Sequence, residues 1–204
     1  MSSLRQYFPD SVNDTLMYCV GRIRCLIQYY INNDFSANNI YENIYVGDLS
    51  FASNLNALKE KGITHIVSVL NGAYELFPND FTYKMIHVND DPWVQIDNFF
   101  DESNTFIEQA LSVPNNKVLI HCHKGISRSV SFLIAFRLYK LNQEKKIEYD
   151  EINKYLDLIL CEIKSQREQA LPNSGFMEIL RRYICKLNGY TYDNTQSLSV
   201  ADNE

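Results

Sequence analysis

The chain has 204 residues, 19 Lys and Arg against 25 Asp and Glu, and a formal net charge of −6. With 46% hydrophobic and 22% charged residues it is rich enough in apolar side chains to build a folded core, which argues against disorder. The acidic balance excludes generic binding to nucleic acid or to an anionic membrane, since both require an excess of Lys and Arg, so an anionic ligand would have to be held by a local arrangement of donors.

Residues 1–37 read as an extension. Val12, Leu16, Cys19, Val20, Ile23, Ile27 and Ile31 recur at steps of three and four, which predicts an amphipathic helix over 11–31. Its polar positions carry Asp14, Arg22 and Arg24 rather than a basic stripe, so it reads as a packing element or a homodimer surface and not as a membrane anchor. The opening MSSLRQYFPD has no charged stretch followed by an apolar one, and no apolar run approaches membrane-spanning length. A polar break through Asn38-Asn39 separates this helix from the main domain, read as 38–188.

From there short β-rich runs alternate with helical patterns. Ile44-Tyr45-Val46 predicts a strand that turns at Gly47-Asp48, and Leu55 and Leu58 a short helix ended by Gly62. His65–Leu70 and Tyr83–Val88 are the next strands. Ile96, Phe99, Phe100, Phe106, Ile107 and Leu111 mark a helix face that stops before Pro114, and Val118–His121 is a compact apolar strand. Three helical patterns follow at 129–142, 150–167 and 173–187, the last after Pro172; residues 189–204 lack periodicity and read as a disordered tail. Strand–helix alternation implies an α/β fold with a mostly parallel central sheet flanked by helices, here with the extra N-terminal helix.

Cys19, Cys25, Cys122, Cys161 and Cys185 are odd in number and widely spaced, unlike a disulfide framework or a zinc ligand set. The expectation is a protein of a reducing compartment, cytoplasmic and by extension nuclear. Four of the five, all but Cys122, lie on or near apolar helix faces and read as small packing residues.

Cys122 stands in a different setting: His121-Cys122-His123-Lys124-Gly125-Ile126-Ser127-Arg128-Ser129, between a strand and a helix. A loop in this position turns successive amides inward while the helix N-terminus adds its positive end. Gly125 permits the tight turn, and His123, Lys124, Gly125, Ile126, Ser127 and Arg128 line a phosphate-sized cradle. Helix N-termini and nearby cations favour the thiolate, the nucleophilic form of cysteine. Arg128 offers a planar fork suited to two phosphate oxygens. Ser129 is placed to donate its hydroxyl to the sulfur, and His121 to steady the loop from behind. Adjacent His121, Cys122 and His123 cannot all face one ion, so no metal is expected.

Cys122 to Arg128 resembles the Cys-x5-Arg loop of protein tyrosine phosphatases, and the string HCHKGISRS resembles the signature of their dual-specificity branch. Ile44–Gly47 and Gly62–Val67 resemble that family's first two strands, and Pro172-Asn173-x-Gly175-Phe176 its loop before the last helix, so the likeness spans about residues 38–188. The resemblance implies a phosphatase acting through a phosphocysteine, without cofactor, on phosphotyrosine and on phosphoserine or phosphothreonine of a phosphorylated protein substrate. It also implies a general acid in His87-Val88-Asn89-Asp90-Asp91-Pro92-Trp93: Asp90 by the better register, with Asp91 the alternative. Rival readings are a phosphoinositide, glycan phosphate or RNA 5′-phosphate as substrate, or a phosphosite-binding scaffold without turnover.

Overall fold

The computed structural model describes residues 36–192. The helix expected over 11–31, with Cys19 and Cys25, and the tail from 193 onward lie outside the described residues. Five strands, β1 (Ala37–Tyr41), β2 (Ile44–Gly47), β3 (His65–Val69), β4 (Thr82–Ile86) and β5 (Val118–His121), form one sheet in the order β1-β2-β5-β3-β4. Among the described residues only the β1–β2 pair is antiparallel. The helices are α1 (Leu49–Ala52), α2 (Leu55–Lys61), α3 (Phe100–Leu111), α4 (Arg128–Glu144), α5 (Ile152–Gln166) and α6 (Ser174–Leu187), with 3-10 turns at Ile96–Phe99 and Tyr149–Glu151.

Apolar side chains cover both faces of the sheet, which is why its parallel strands are apolar runs rather than alternations. Val46, Val67 and Ile120 enter the larger core with Phe132, Leu133, Phe176 and Leu180. Their neighbours Tyr45, Ile66 and Leu119 point to the opposite face, onto Phe51 and Leu58. On the larger side Phe100 meets Phe132 and Tyr183 edge-to-face at 5.2 and 4.9 Å, joining α3, α4 and α6. Buried Asn104 donates to the Tyr183 hydroxyl at 2.9 Å, which gives that hydroxyl a partner.

β5 lies between β2 and β3, with Ile120 opposite both Val46 and Val67. Residue 122 therefore leaves the middle of the sheet at the carboxyl end of its parallel strands, where open α/β sheets place their ligands. The chain then passes directly into α4, whose residues from Arg128 to Phe136 are all buried. The site thus hangs between a fully buried strand and a helix whose first nine residues are buried.

Two expectations need correction. Asn38 and Asn39, read as part of a polar break, belong to strand β1, held by its pairing with β2 and turned at Asn43 with φ 65°. Cys161, read as a packing residue, is exposed. The stripe that α5 buries is Ile152, Leu156, Ile159 and Ile163, and position 161 falls off it. Cys185 is buried.

Candidate active site

The loop after β5 is defined by what its carbonyls do. His123 O accepts from Leu49 N–H at 3.2 Å, Ile126 O from Leu171 N–H at 2.9 Å, and Ser127 O from Ser131 N–H at 2.9 Å. Lys124 O and Gly125 O accept from the Arg167 guanidinium at 3.0 and 2.6 Å. Every carbonyl from 123 to 127 is thus bound by a donor outside the loop. In a trans peptide the following N–H points opposite the C=O, so the amides of 124 to 128 turn away from these donors, and that of Gly125 meets Cys122. Gly125 sits at φ 66°, and a Cβ there would lie 2.6 Å from Gly47 O and nearer still to Arg167 Nη2. Glycine is required for both reasons.

Cys122 lies at the floor of this loop, 1% exposed. Its sulfur accepts from Gly125 N–H at 3.2 Å and from Ser129 Oγ at 3.3 Å, the second as the sequence suggests. Both donors stabilise negative charge on sulfur. Arg128 opens α4, donates through Nη1 to Val88 O at 3.2 Å, and keeps Nε buried without a hydrogen bond. That nitrogen faces the Asp90 carboxylate at 3.6 Å, beyond hydrogen-bond reach, so the guanidinium is set among negative or electron-rich oxygens, the surroundings an oxyanion shares. His121 is buried behind the loop with Nδ1 3.4 Å from Cys122 O. Burial foremost, and then the Arg128 charge, pulls its pKa down to about 4 against that hydrogen bond, so the imidazole is neutral. Lys124 is exposed, and His123 and Ile126 are half-buried.

The two candidate acids are separated by their contacts. Asp90 Oδ1 accepts from Ser127 Oγ at 2.5 Å and from Asn173 Nδ2 at 2.8 Å, and Asp90 Oδ2 is 3.6 Å from Arg128 Nε. These contacts with Ser127, Asn173 and Arg128 are made by Asp90 and not by the adjacent Asp91. Asn173 also caps α6 by accepting from Phe176 N–H at 2.9 Å, and its own N–H donates to Ser127 Oγ at 3.2 Å. Beneath the acid segment, Gly175 presents bare backbone to Pro92: a Cβ on it would lie 2.6 Å from Pro92 Cα and closer to the carbonyl oxygen. The 90–92 segment and the start of α6 therefore touch main chain to main chain.

The structure brings together all the sequence-predicted loop residues and Asp90, and adds Asn173 and Arg167. Arg167 was visible in one respect. It falls four residues after Ile163, continuing the buried stripe of α5, and a charged residue on such a stripe calls for buried partners. Among the described residues no cluster of three or more His, Cys, Asp or Glu is placed to hold a metal ion.

A family model described as "Dual specificity phosphatase, catalytic domain" matches residues 44–185. The chain is 32% identical over 152 residues to dual specificity protein phosphatase 1B of Arabidopsis thaliana, covering 74% of this chain and 84% of that one. It is 34% identical over 174 residues to dual specificity protein phosphatase 1 of the same plant, covering 85% and 81%. Among solved structures it is similar to the human tyrosine phosphatase-like serine/threonine/tyrosine-interacting protein. That likeness has 28% identity and a TM-score of 0.60, over 72% of this chain and 94% of that one.

Proposed function

The chain belongs to the dual specificity phosphatase family, hydrolases that cleave phosphoester bonds, and from that premise we propose that it dephosphorylates phosphotyrosine and phosphoserine or phosphothreonine in proteins by way of a phosphocysteine. The Cys122 thiolate attacks phosphorus in line; the bond from phosphorus to the leaving oxygen breaks, and that oxygen takes the proton of Asp90. Water then attacks the S-phosphocysteine, gives its proton to the Asp90 carboxylate, and the S–P bond breaks to return thiolate and inorganic phosphate. Arg128 and the amides of the loop oppose the charge that builds on the equatorial oxygens.

The observation that carries this reading is the orientation of the loop: outward carbonyls from 123 to 127, with Gly125 N–H and Ser129 Oγ on the sulfur. The burial of Arg128 beside the loop supports it, as do the contacts of Asp90 with Arg128 Nε and Ser127 Oγ. The test is a substrate panel of phosphotyrosine, phosphoserine and phosphothreonine peptides beside a phosphoinositide, a glycan phosphate and an RNA 5′-phosphate. Wild type is expected to turn over the peptides, Cys122→Ser none of the panel, and Asp90→Asn to be slowed on peptides far more than Asp91→Asn. Turnover surviving Cys122→Ser would remove the cysteine route. Full activity in Asp90→Asn with loss in Asp91→Asn would move the acid. Peptide binding without any turnover would make the protein a scaffold, and preference for a non-protein substrate would change its class.

A further inference from the structure

Arg167 is 1% exposed, heads the largest fully buried side chains, and follows directly on α5. Its guanidinium uses its fork in two directions. Toward the loop, Nη2 donates to Lys124 O and Nε to Gly125 O at 3.0 and 2.6 Å. Away from it, Nη1 donates to Ser36 Oγ at 3.0 Å and to Asn38 Oδ1 at 2.7 Å, where the chain enters β1. All four acceptors are neutral, and no carboxylate lies within ion-pair distance among the described residues.

Burying a cation against neutral oxygens is costly, so a role in packing alone would be better served by an apolar side chain. The charge has a use at the site. Burial lowers the pKa of Arg167, and the negative charges that oppose this are those of Asp48 and of Cys122. The geometry is more telling. The peptide unit whose carbonyl Arg167 Nη2 binds is the same unit whose N–H, on Gly125, donates to Cys122 Sγ. The next unit, bound at Gly125 O by Nε, carries the Ile126 amide. A plane held at its oxygen is fixed in the direction of its N–H.

We propose that Arg167 is a positioning residue: it clamps the Lys124–Gly125 and Gly125–Ile126 peptide planes from behind, aiming one amide at the nucleophile and the other into the phosphate cradle, while Ser36 and Asn38 set the attitude of its fork. This rests on the cradle proposed above. Lysine cannot replace it, because a single ammonium does not hold two carbonyls and two side-chain oxygens in one plane. Gly125 belongs to the same device, since a Cβ there would strike Nη2.

The test compares wild type with Arg167→Met, Arg167→Lys and Asn38→Ala. Melting temperature and near-UV dichroism identify folded protein, p-nitrophenyl phosphate gives kcat/KM, and inorganic phosphate serves as competitive inhibitor. In folded protein, both Arg167 variants are expected to weaken phosphate inhibition and lower kcat/KM by at least about tenfold, the scale of a small misplacement of catalytic groups. Asn38→Ala should move both quantities in the same direction by about threefold, with little change in melting temperature, because it loosens one anchor of the fork and leaves Arg167 in place. A merely structural arginine would lower the melting temperature and leave phosphate inhibition per folded molecule unchanged. Folded Arg167 variants within about twofold of wild type on both readouts would overturn the role. Should neither Arg167 variant fold, an unchanged phosphate inhibition in Asn38→Ala overturns it instead. A wild type lacking Cys122-dependent turnover and phosphate inhibition would overturn the cradle itself, and this role with it.

Discussion

Gly175→Ala tests the placement of the candidate acid without altering any polar side chain of the site. A Cβ on Gly175 would lie 2.6 Å from Pro92 Cα, short of the ~3.5 Å at which carbon atoms rest in contact by about 1 Å. The main chain of α6 is anchored in the core by buried Phe176, Ile179 and Leu180, so the 90–92 segment must give way. Asp90, two residues upstream, would be drawn off its contacts with Ser127 Oγ at 2.5 Å and Asn173 Nδ2 at 2.8 Å. An ångström of misplacement costs about 100-fold in rate. Helix propensity acts the other way, favouring Ala over Gly by up to about 1 kcal/mol, so a loss cannot be assigned to unwinding.

The assay compares two leaving groups. For phenyl phosphate or a phosphotyrosine peptide, whose leaving oxygen needs a proton, kcat should fall by about 100-fold; for p-nitrophenyl phosphate, which departs as a stable anion, by about tenfold or less. Combining Gly175→Ala with Asp90→Asn should add little to Asp90→Asn alone, because both remove one interaction. Equal losses on the two substrates, or a wild-type rate on phenyl phosphate, would refute the reasoning.

Asn173 joins two functions that substitution can separate. Asn173→Ala removes both the α6 cap, worth about 1 kcal/mol, and the donor to Asp90, whereas Asn173→Asp keeps an acceptor for Phe176 N–H but sets a second carboxylate beside Asp90. Urea midpoints should therefore favour Asp over Ala while activity falls in both; activity tracking stability through the pair would contradict this. His121 carries a pH signature: its folded pKa of about 4 lies below the ordinary value of 6.5, so between these limits the unfolded chain binds more protons. Stability should be intact above about pH 6.5 and decline as pH falls toward 4, by ~3 kcal/mol from this group. His121→Asn should flatten that decline in denaturant midpoints taken at pH 7 and pH 4.5, and an unaltered slope would count against a buried neutral imidazole.

The sequence was most legible where one physical requirement dominated. β2, β3 and β5 are buried on both faces, so Val46, Ile66, Val67 and Ile120 had to be apolar, and they announce themselves as runs. β1 had no such obligation. As an antiparallel edge strand it is only partly buried, and main-chain pairing with β2 suffices to hold Asn38 and Asn39, residues that otherwise read as loop. Cys122, Arg128 and Ser129 stand out as a candidate site because thiol, guanidinium and hydroxyl share one short segment. Asp90 was preferred to Asp91 on the register of a resemblance alone, since adjacent carboxylates differ only in direction, which the contacts with Ser127, Asn173 and Arg128 register. Arg167 was legible only as a charge continuing the buried stripe of α5. Its partners at the loop are main-chain oxygens, which every residue possesses, so no pattern of side chains points to what it holds.

The outward carbonyls of the loop after β5 also bear on the order in which the molecule assembles. Their donors come from Leu49, Ser131, Arg167 and Leu171, and the two Arg167 bonds alone close separations of 42 and 43 residues. Such distant closures form late, after the local helices and the sheet have lowered the entropy they cost. The site should therefore be among the last parts of the domain to appear during folding. By the same token, opening the junction between α5 and α6 would unfasten Lys124, Gly125 and Ile126 while the strands remain paired. Bound phosphate would then hold that distant junction shut, making resistance to proteolysis at residues 167–173 a gauge of whether the site is filled.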